Sequence, residues 1–216
     1  MPYNCSATPP WKNGEHVMKQ HMLAAVLVTL APAAALAQDP AQLQQWFEAG
    51  QYQQVVEAAG PEAAPEVLYT VAQSHQKLGA TEQAGEIYRQ LGERPEGDPW
   101  RLIGQSAHQL IHEQTDAAVE LAQQAVATSP EMPEAQFQLG LALAKKQAWP
   151  TAAAAFDRAA ELNPSMAYAH YYGGLMHYRA KRPDRMANHF EQFLKLAPEA
   201  PERPEVIQIM RTVRGK

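Results

Sequence analysis

The sequence predicts an all-α fold: a right-handed α-solenoid of about five helix pairs, closed by a C-terminal capping helix. Three observations carry this expectation. The stretch Pro133–Met166 reads as two amphipathic helices in tandem. Its landmarks recur at a fixed interval of 34 residues: Pro130, Pro164 and Pro198; Gly140 and Gly174; Phe156 and Phe190; Ala118 and Ala152; Ala125 and Ala159. Proline punctuates the helix ends rather than their middles, with Pro150 in a first turn and Asn163-Pro164 at a close.

Within Pro133–Met166 the first helix spans roughly Pro133–Lys146, with Leu139, Gly140 and Leu143 on one face. A glycine inside a helix costs about 1 kcal/mol relative to alanine, so Gly140 marks a close approach of a second helix. The return helix carries Ala152, Phe156 and Ala159 on its apolar face.

The remaining pairs follow in order. Pro40–Ala64 is a degenerate first pair, with Leu43, Trp46 and Phe47 before Gly50, then Tyr52–Ala59. Pro65–Asp98 is the second, with Leu68, Val71, Ala72 and His75 on the packing side, Gly79 closing the helix, and Ala84, Tyr88 and Leu91 on the return. Pro99–Met132 is the third; it has Ser106 where the mid-helix glycine belongs but keeps Ala118, Ala125 and Pro130. Ala167–Ala200 is the fifth, with Gly173-Gly174, Pro183, Phe190 and Pro198, and Pro204–Val213 is an amphipathic helix suited to cover the last face.

The mid-helix Leu139-Gly140, then Ala152, Phe156, Ala159 and the closing Pro164, resemble the tetratricopeptide repeat pattern. The resemblance is fullest over Pro133–Ala200, thinner over Pro65–Met132 and thinnest over Pro40–Ala64. It implies a non-enzymatic protein-interaction scaffold and leaves the partner unnamed. Relatives that hold the acidic C-terminus of heat-shock chaperones use Lys and Asn at set places on the inner helices. The positions resembling those places are Tyr69, Gln73, Ile103 and Ala107, and none carries a positive charge.

The chain divides into an upstream segment with an export signal, 1–37, and a solenoid domain, 38–216. Met18–His21 is a short basic start, Met22–Ala35 a nearly continuous apolar run, and Ala35-Leu36-Ala37 a small-residue cleavage site. A run of about 14 residues is short for a membrane-spanning helix, which needs about 20. The expected product begins at Gln38 in a Gram-negative periplasm without a membrane span; the alternative is an inner-membrane anchor formed by an uncleaved signal. Signals begin close to their initiator, so Met18 rather than Met1 is the expected start. Cys5, the one cysteine, lies upstream, so the mature chain has no disulfide.

No catalytic constellation emerges. The G-x-x-x-x-G-K-[ST], G-x-G-x-x-G and G-x-S-x-G motifs are absent. His108 and His112 have metal-ligand spacing, but Gln109 stands where a metalloprotease needs glutamate. His170 and His177 lie two turns apart and His189 lies on the next helix, so that they could meet in space; they read as packing and hydrogen-bonding residues. No cofactor, metal or catalytic residue is assigned; a histidine-dependent metal-binding protein stays as an alternative.

A surplus stripe on the first helix of each pair is the expected peptide groove. It comprises Tyr69 and Lys77, then Ile103, then Phe137, Leu141 and Lys145, then Tyr171, Leu175 and Arg179, flanked by Tyr168 and Tyr178. Tyr69, Ile103, Phe137 and Tyr171 form a ladder facing the concave side, of a kind favoured at interfaces; the competing reading packs it between repeats. Charge is uneven: Gln38–Asp157 has 6 Lys and Arg against 16 Asp and Glu, whereas Arg158–Lys216 has 10 against 6. The basic turn Lys181, Arg182 and Arg185 reads first as a solvated surface turn; the sharper reading is a site for an acidic peptide, a chain-terminal carboxylate or anionic lipid. The acidic balance disfavours nucleic acid. The expected partner is another protein or peptide, held in the groove or, alternatively, packed permanently on the array within an envelope or secretion assembly.

Overall fold

The computed structural model describes residues 39–60 and 62–214. The proposed signal, Cys5 and the cleavage site lie outside the described residues. Among the described residues the backbone forms eleven helices and no strand. They are α1 Pro40–Glu48, α2 Tyr52–Ala58, α3 Pro65–Lys77, α4 Thr81–Gly92, α5 Pro99–Ile111, α6 Thr115–Thr128, α7 Pro133–Lys145, α8 Trp149–Leu162, α9 Ala167–Arg179, α10 Pro183–Leu196 and α11 Arg203–Arg214. These are the five anticipated pairs and the capping helix.

Local chemistry sets the helix ends. Pro65, Pro99 and Pro133 open α3, α5 and α7, where a missing N–H has no intrahelical acceptor to lose. Asp39 and Asp98 accept from the backbone N–H groups of Ala41 and Trp100, both at 3.0 Å. The inner helices end alike. Gly79, Glu113, Gln147 and Lys181 lie one 34-residue period apart and adopt φ of 77°, 59°, 62° and 59°. In each case the next residue's N–H returns to the carbonyl five positions back, at 2.8–3.0 Å. This is a Schellman closure, and it turns the chain into the second helix of the pair. Only the first of the four is glycine; the others carry a left-handed cost of about 1–2 kcal/mol.

Packing within a pair follows from the missing side chain. A Cβ on Gly140 would lie 2.7 Å from Cε1 of Phe156, and one on Gly174 would lie 2.4 Å from Cδ1 of Phe190. Both rings are fully buried against bare helix backbone. In the third pair Ser106 holds the equivalent position and replaces that contact with a hydrogen bond. Its buried hydroxyl donates to the Ala118 carbonyl at 2.8 Å and accepts from Gln138 Nε2 at 3.1 Å, while Tyr69 donates to Gln138 Oε1 at 2.8 Å. A satisfied polar chain thus links α3, α7, α5 and α6 through the interior.

Successive helices pack on one another, α5 also packs on α7, and α11 packs on α10. The main apolar core is continuous from Leu43 on α1 to Met210 on α11; a smaller cluster of Ala118, Val119, Ala122 and Ala142 lies between α6 and α7.

Candidate functional site

The inner helices bring the ladder into one register but do not leave it open. Tyr69, Ile103, Phe137 and Tyr171 are 4%, 0%, 4% and 7% exposed, and Tyr168 is 3% exposed. This corrects the expectation of a solvent-facing stripe. Two contacts account for it. Tyr69 reaches Gln138 across the inner face, and the first pair comes against the fifth. The Phe47 ring centroid lies 5.0 Å from that of Tyr168, and the Tyr52 and Tyr168 hydroxyls are 3.2 Å apart. Burial of aromatic area at about 25 cal/mol per Å² favours that closure. Phe137 packs edge-on against Phe156 and Tyr172, at 5.5 and 5.8 Å.

The capping segment continues the register. Glu202 and Glu205 stand one period after Tyr168 and Tyr171 and accept their hydroxyls at 2.9 and 3.0 Å. Glu202 also receives Lys77 Nζ at 2.5 Å, and that ammonium lies 4.9 Å from the centre of the Tyr168 ring. Burial alone would lower the Lys77 ammonium, but Tyr172 and Glu202 outweigh it and raise its pKa.

The other groove residues stay nearer the surface. Leu141 and Leu175 are half-buried, Lys145 is exposed beside Glu113 at 3.6 Å, Tyr178 is 40% exposed, and Arg179 lies 5.9 Å from the Trp149 ring centre. Two cavities remain on the inner face. One, of 270 Å³, is walled by Leu43, Glu66, Trp100 and Glu134; the other, of 480 Å³, by Gln73, Lys77, Leu110, Leu141 and Lys145. Phe47, Phe137 and Tyr168 border both. Burial, with Glu66 nearby, pushes the Glu134 carboxyl up.

The basic turn is not three equivalent cations. Lys181 is the left-handed residue, Arg182 precedes α10, and the Arg185 guanidinium reaches Asp157 Oδ2 at 3.3 Å. The histidines of the fifth pair converge on the same carboxylate. His177 Nε2 and His189 Nε2 each lie 2.8 Å from Asp157 Oδ1, and His170 Nδ1 lies 3.3 Å from His189 Nδ1. Burial would raise the Asp157 carboxyl, but the hydrogen bonds from His177 and His189 outweigh it and hold it well below the usual range. His108 and His112 form a separate exposed pair, Nε2 to Nε2 at 3.2 Å.

Gln138, Asp157 and Glu202 were not singled out from the sequence. The last could have been found by extending the 34-residue register of Tyr168 into the capping segment. Gln138 and Asp157 carry no comparable mark, because their partners lie on other helices.

An all-helical array of stacked pairs, with glycine–aromatic packing at a 34-residue interval, defines a helical-repeat solenoid. Family models described as tetratricopeptide repeat match residues 110–167, 149–201 and 66–96, and the chain belongs to the tetratricopeptide repeat family. Comparison with curated proteins gives no match. Among solved structures, a thermophilic TPR protein from Thermus thermophilus, TTC0263, is 19% identical with a TM-score of 0.59, covering 80% of this chain and 97% of that one. The first TPR of Spaghetti (RPAP3), bound to the HSP90 peptide SRMEEVD, is 16% identical with a TM-score of 0.52, covering 56% of this chain and 96% of that one. At these identities the likeness is one of fold. Among the described residues no helix is long and apolar enough to cross a membrane.

Proposed function

We propose that the chain is a non-enzymatic scaffold of the cell envelope that binds a peptide or protein segment on the inner face of its array. The family supports protein interaction in general. The observation that supports this site is the 480 Å³ cavity, with an apolar floor from Phe137, Leu110 and Leu141 and two ammonium groups, Lys77 and Lys145, at its walls. Pockets of roughly 300–1,000 Å³ accommodate small ligands or a few side chains. The chemistry suits a segment with one large apolar side chain and a nearby carboxylate, which would compete with Glu113 for Lys145. The buried ladder then shapes the floor rather than forming the contact strip, and Arg179 and Arg182 steer an acidic partner.

The test is a crosslinked pull-down from the envelope fraction with mass spectrometry, comparing wild type with Leu141→Glu and Lys145→Glu. A partner captured by wild type and lost in both folded variants supports the reading. A partner retained by both moves the interface to the outer helices, as in a permanently assembled subunit. Export is proposed on the sequence signal alone. N-terminal sequencing of the secreted product should begin at Gln38, and an intact Met18 start in the membrane fraction would favour the anchor.

A further inference from the structure

The junction of α8, α9 and α10 carries a polar cluster where the preceding repeat packs carbon. One 34-residue period separates Leu139, Leu143 and Ala155 from Gly173, His177 and His189. Leu139 and Leu143 pack on the small apolar cluster of α6 and α7. In the fifth pair the same places hold two imidazoles and a glycine that accommodates one of them. A Cβ on Gly173 would lie 3.0 Å from both Cε1 and Nδ1 of His189.

We propose that Asp157, His177 and His189 form a binding site for one divalent transition-metal ion. Asp157 Oδ1 and the two Nε2 atoms come from three helices and lie within 4.8 Å of one another. Two nitrogens and one carboxylate oxygen suit Zn²⁺, Ni²⁺ or Co²⁺ better than Mg²⁺ or Ca²⁺. Metal–ligand bonds of about 2.0–2.2 Å fit between these donors after a small outward movement. A 260 Å³ pocket walled by Asp157, Glu161, His170, Arg185 and His189 leaves further coordination positions to water. Arg185, whose side chain is 65% exposed, is free to swing away from Asp157 Oδ2.

The proton pattern points the same way. His170 Nε2 lies 3.2 Å from the Pro164 carbonyl, which can only accept, so a neutral His170 keeps its proton there. With His189 Nε2–H donating to Asp157, a neutral His189 has no proton on Nδ1. The two Nδ1 lone pairs then face each other at 3.3 Å. A metal on His189 Nε2 removes this conflict, as a second proton on the ring would: the proton on Nδ1 donates to His170, which donates in turn to Pro164. That is the outer hydrogen bonding a ligating histidine ordinarily has. His177 is less well served. Its buried Nδ1 has no partner, so ligation leaves an N–H unpaired there. Loss of such support costs about 10–100-fold in affinity, so the site is expected to bind more weakly than one whose two histidines are both supported.

The experiment titrates the full chain, stripped of metal, with Zn²⁺ and Ni²⁺ by calorimetry and thermal melting. One ion per chain and a rise in melting temperature with added zinc are expected. Asp157→Asn and His189→Gln should each weaken uptake at least about tenfold, whereas His108→Gln/His112→Gln should leave it unchanged. X-ray absorption of the wild-type zinc complex should count two imidazoles, a readout that needs no variant to fold. No uptake of either metal by the wild-type chain would overturn the proposal. So would uptake that survives His189→Gln but disappears with the His108 and His112 pair.

Discussion

Lys77 and Glu202 are 125 residues apart in the chain and meet at 2.5 Å, tying the end of α3 to the turn before α11. The contact joins the second pair to the capping segment across the inner face. A double-mutant cycle on Lys77→Met and Glu202→Gln should give a coupling of about 1 kcal/mol, at the upper end for ion pairs with some exposure. Glutamine keeps an acceptor for Tyr168, so the cycle isolates the charge. Coupling near zero would mean that this pair does not hold the inner face closed.

Phe137→Ala should destabilise the fold by about 3–5 kcal/mol, because its ring is buried against Phe156 and Tyr172. Gly140→Leu should cost about 1–3 kcal/mol by pushing into the Phe156 ring. The exposed Tyr178 makes the contrast: Tyr178→Ala should stay within about 0.5 kcal/mol. Urea unfolding curves measure all three. A Phe137→Ala protein as stable as wild type would return the ladder to the surface.

Gln147→Gly should stabilise the protein by about 0.5–1 kcal/mol: relief of the left-handed cost outweighs glycine's greater freedom when unfolded. Gly79→Ala, at the same register two periods earlier, should destabilise by about 1 kcal/mol. Thermal denaturation should move the two variants in opposite directions. Equal shifts would contradict the shared φ near +60° to +77°.

Glu134 supplies a pH dependence. Its carboxyl is pushed up by burial and by Glu66, so the folded state binds the proton more tightly than the unfolded one. A raised pKa contributes stability below the unfolded value of about 4.3 and loses it as pH rises through the folded value. Glu134→Gln should therefore melt higher than wild type at pH 7, with the gap closing by pH 4. A gap that stays constant across that range would exclude the carboxyl as its source.

The repeat was legible in the sequence because its causes are local or periodic. Proline at helix starts, the glycine–aromatic pairs Gly140–Phe156 and Gly174–Phe190, and the 34-residue interval each act within one pair, or between a pair and its copy. They determined the order of the five pairs and, for α7 and α11, the helix ends to within one residue, and with them the family. Two features were not legible. Whether Tyr69, Ile103, Phe137 and Tyr171 face solvent or core depends on how far the array curves. That curvature brings Phe47 and Tyr52 to Tyr168, and no local pattern encodes it. The Asp157–His177–His189 cluster joins three helices whose spacing makes a meeting possible. Only the stacking of pair on pair decided that both imidazoles point at one carboxylate oxygen, because side-chain convergence is set by the packing of neighbouring helices and not by the residues' order along the chain.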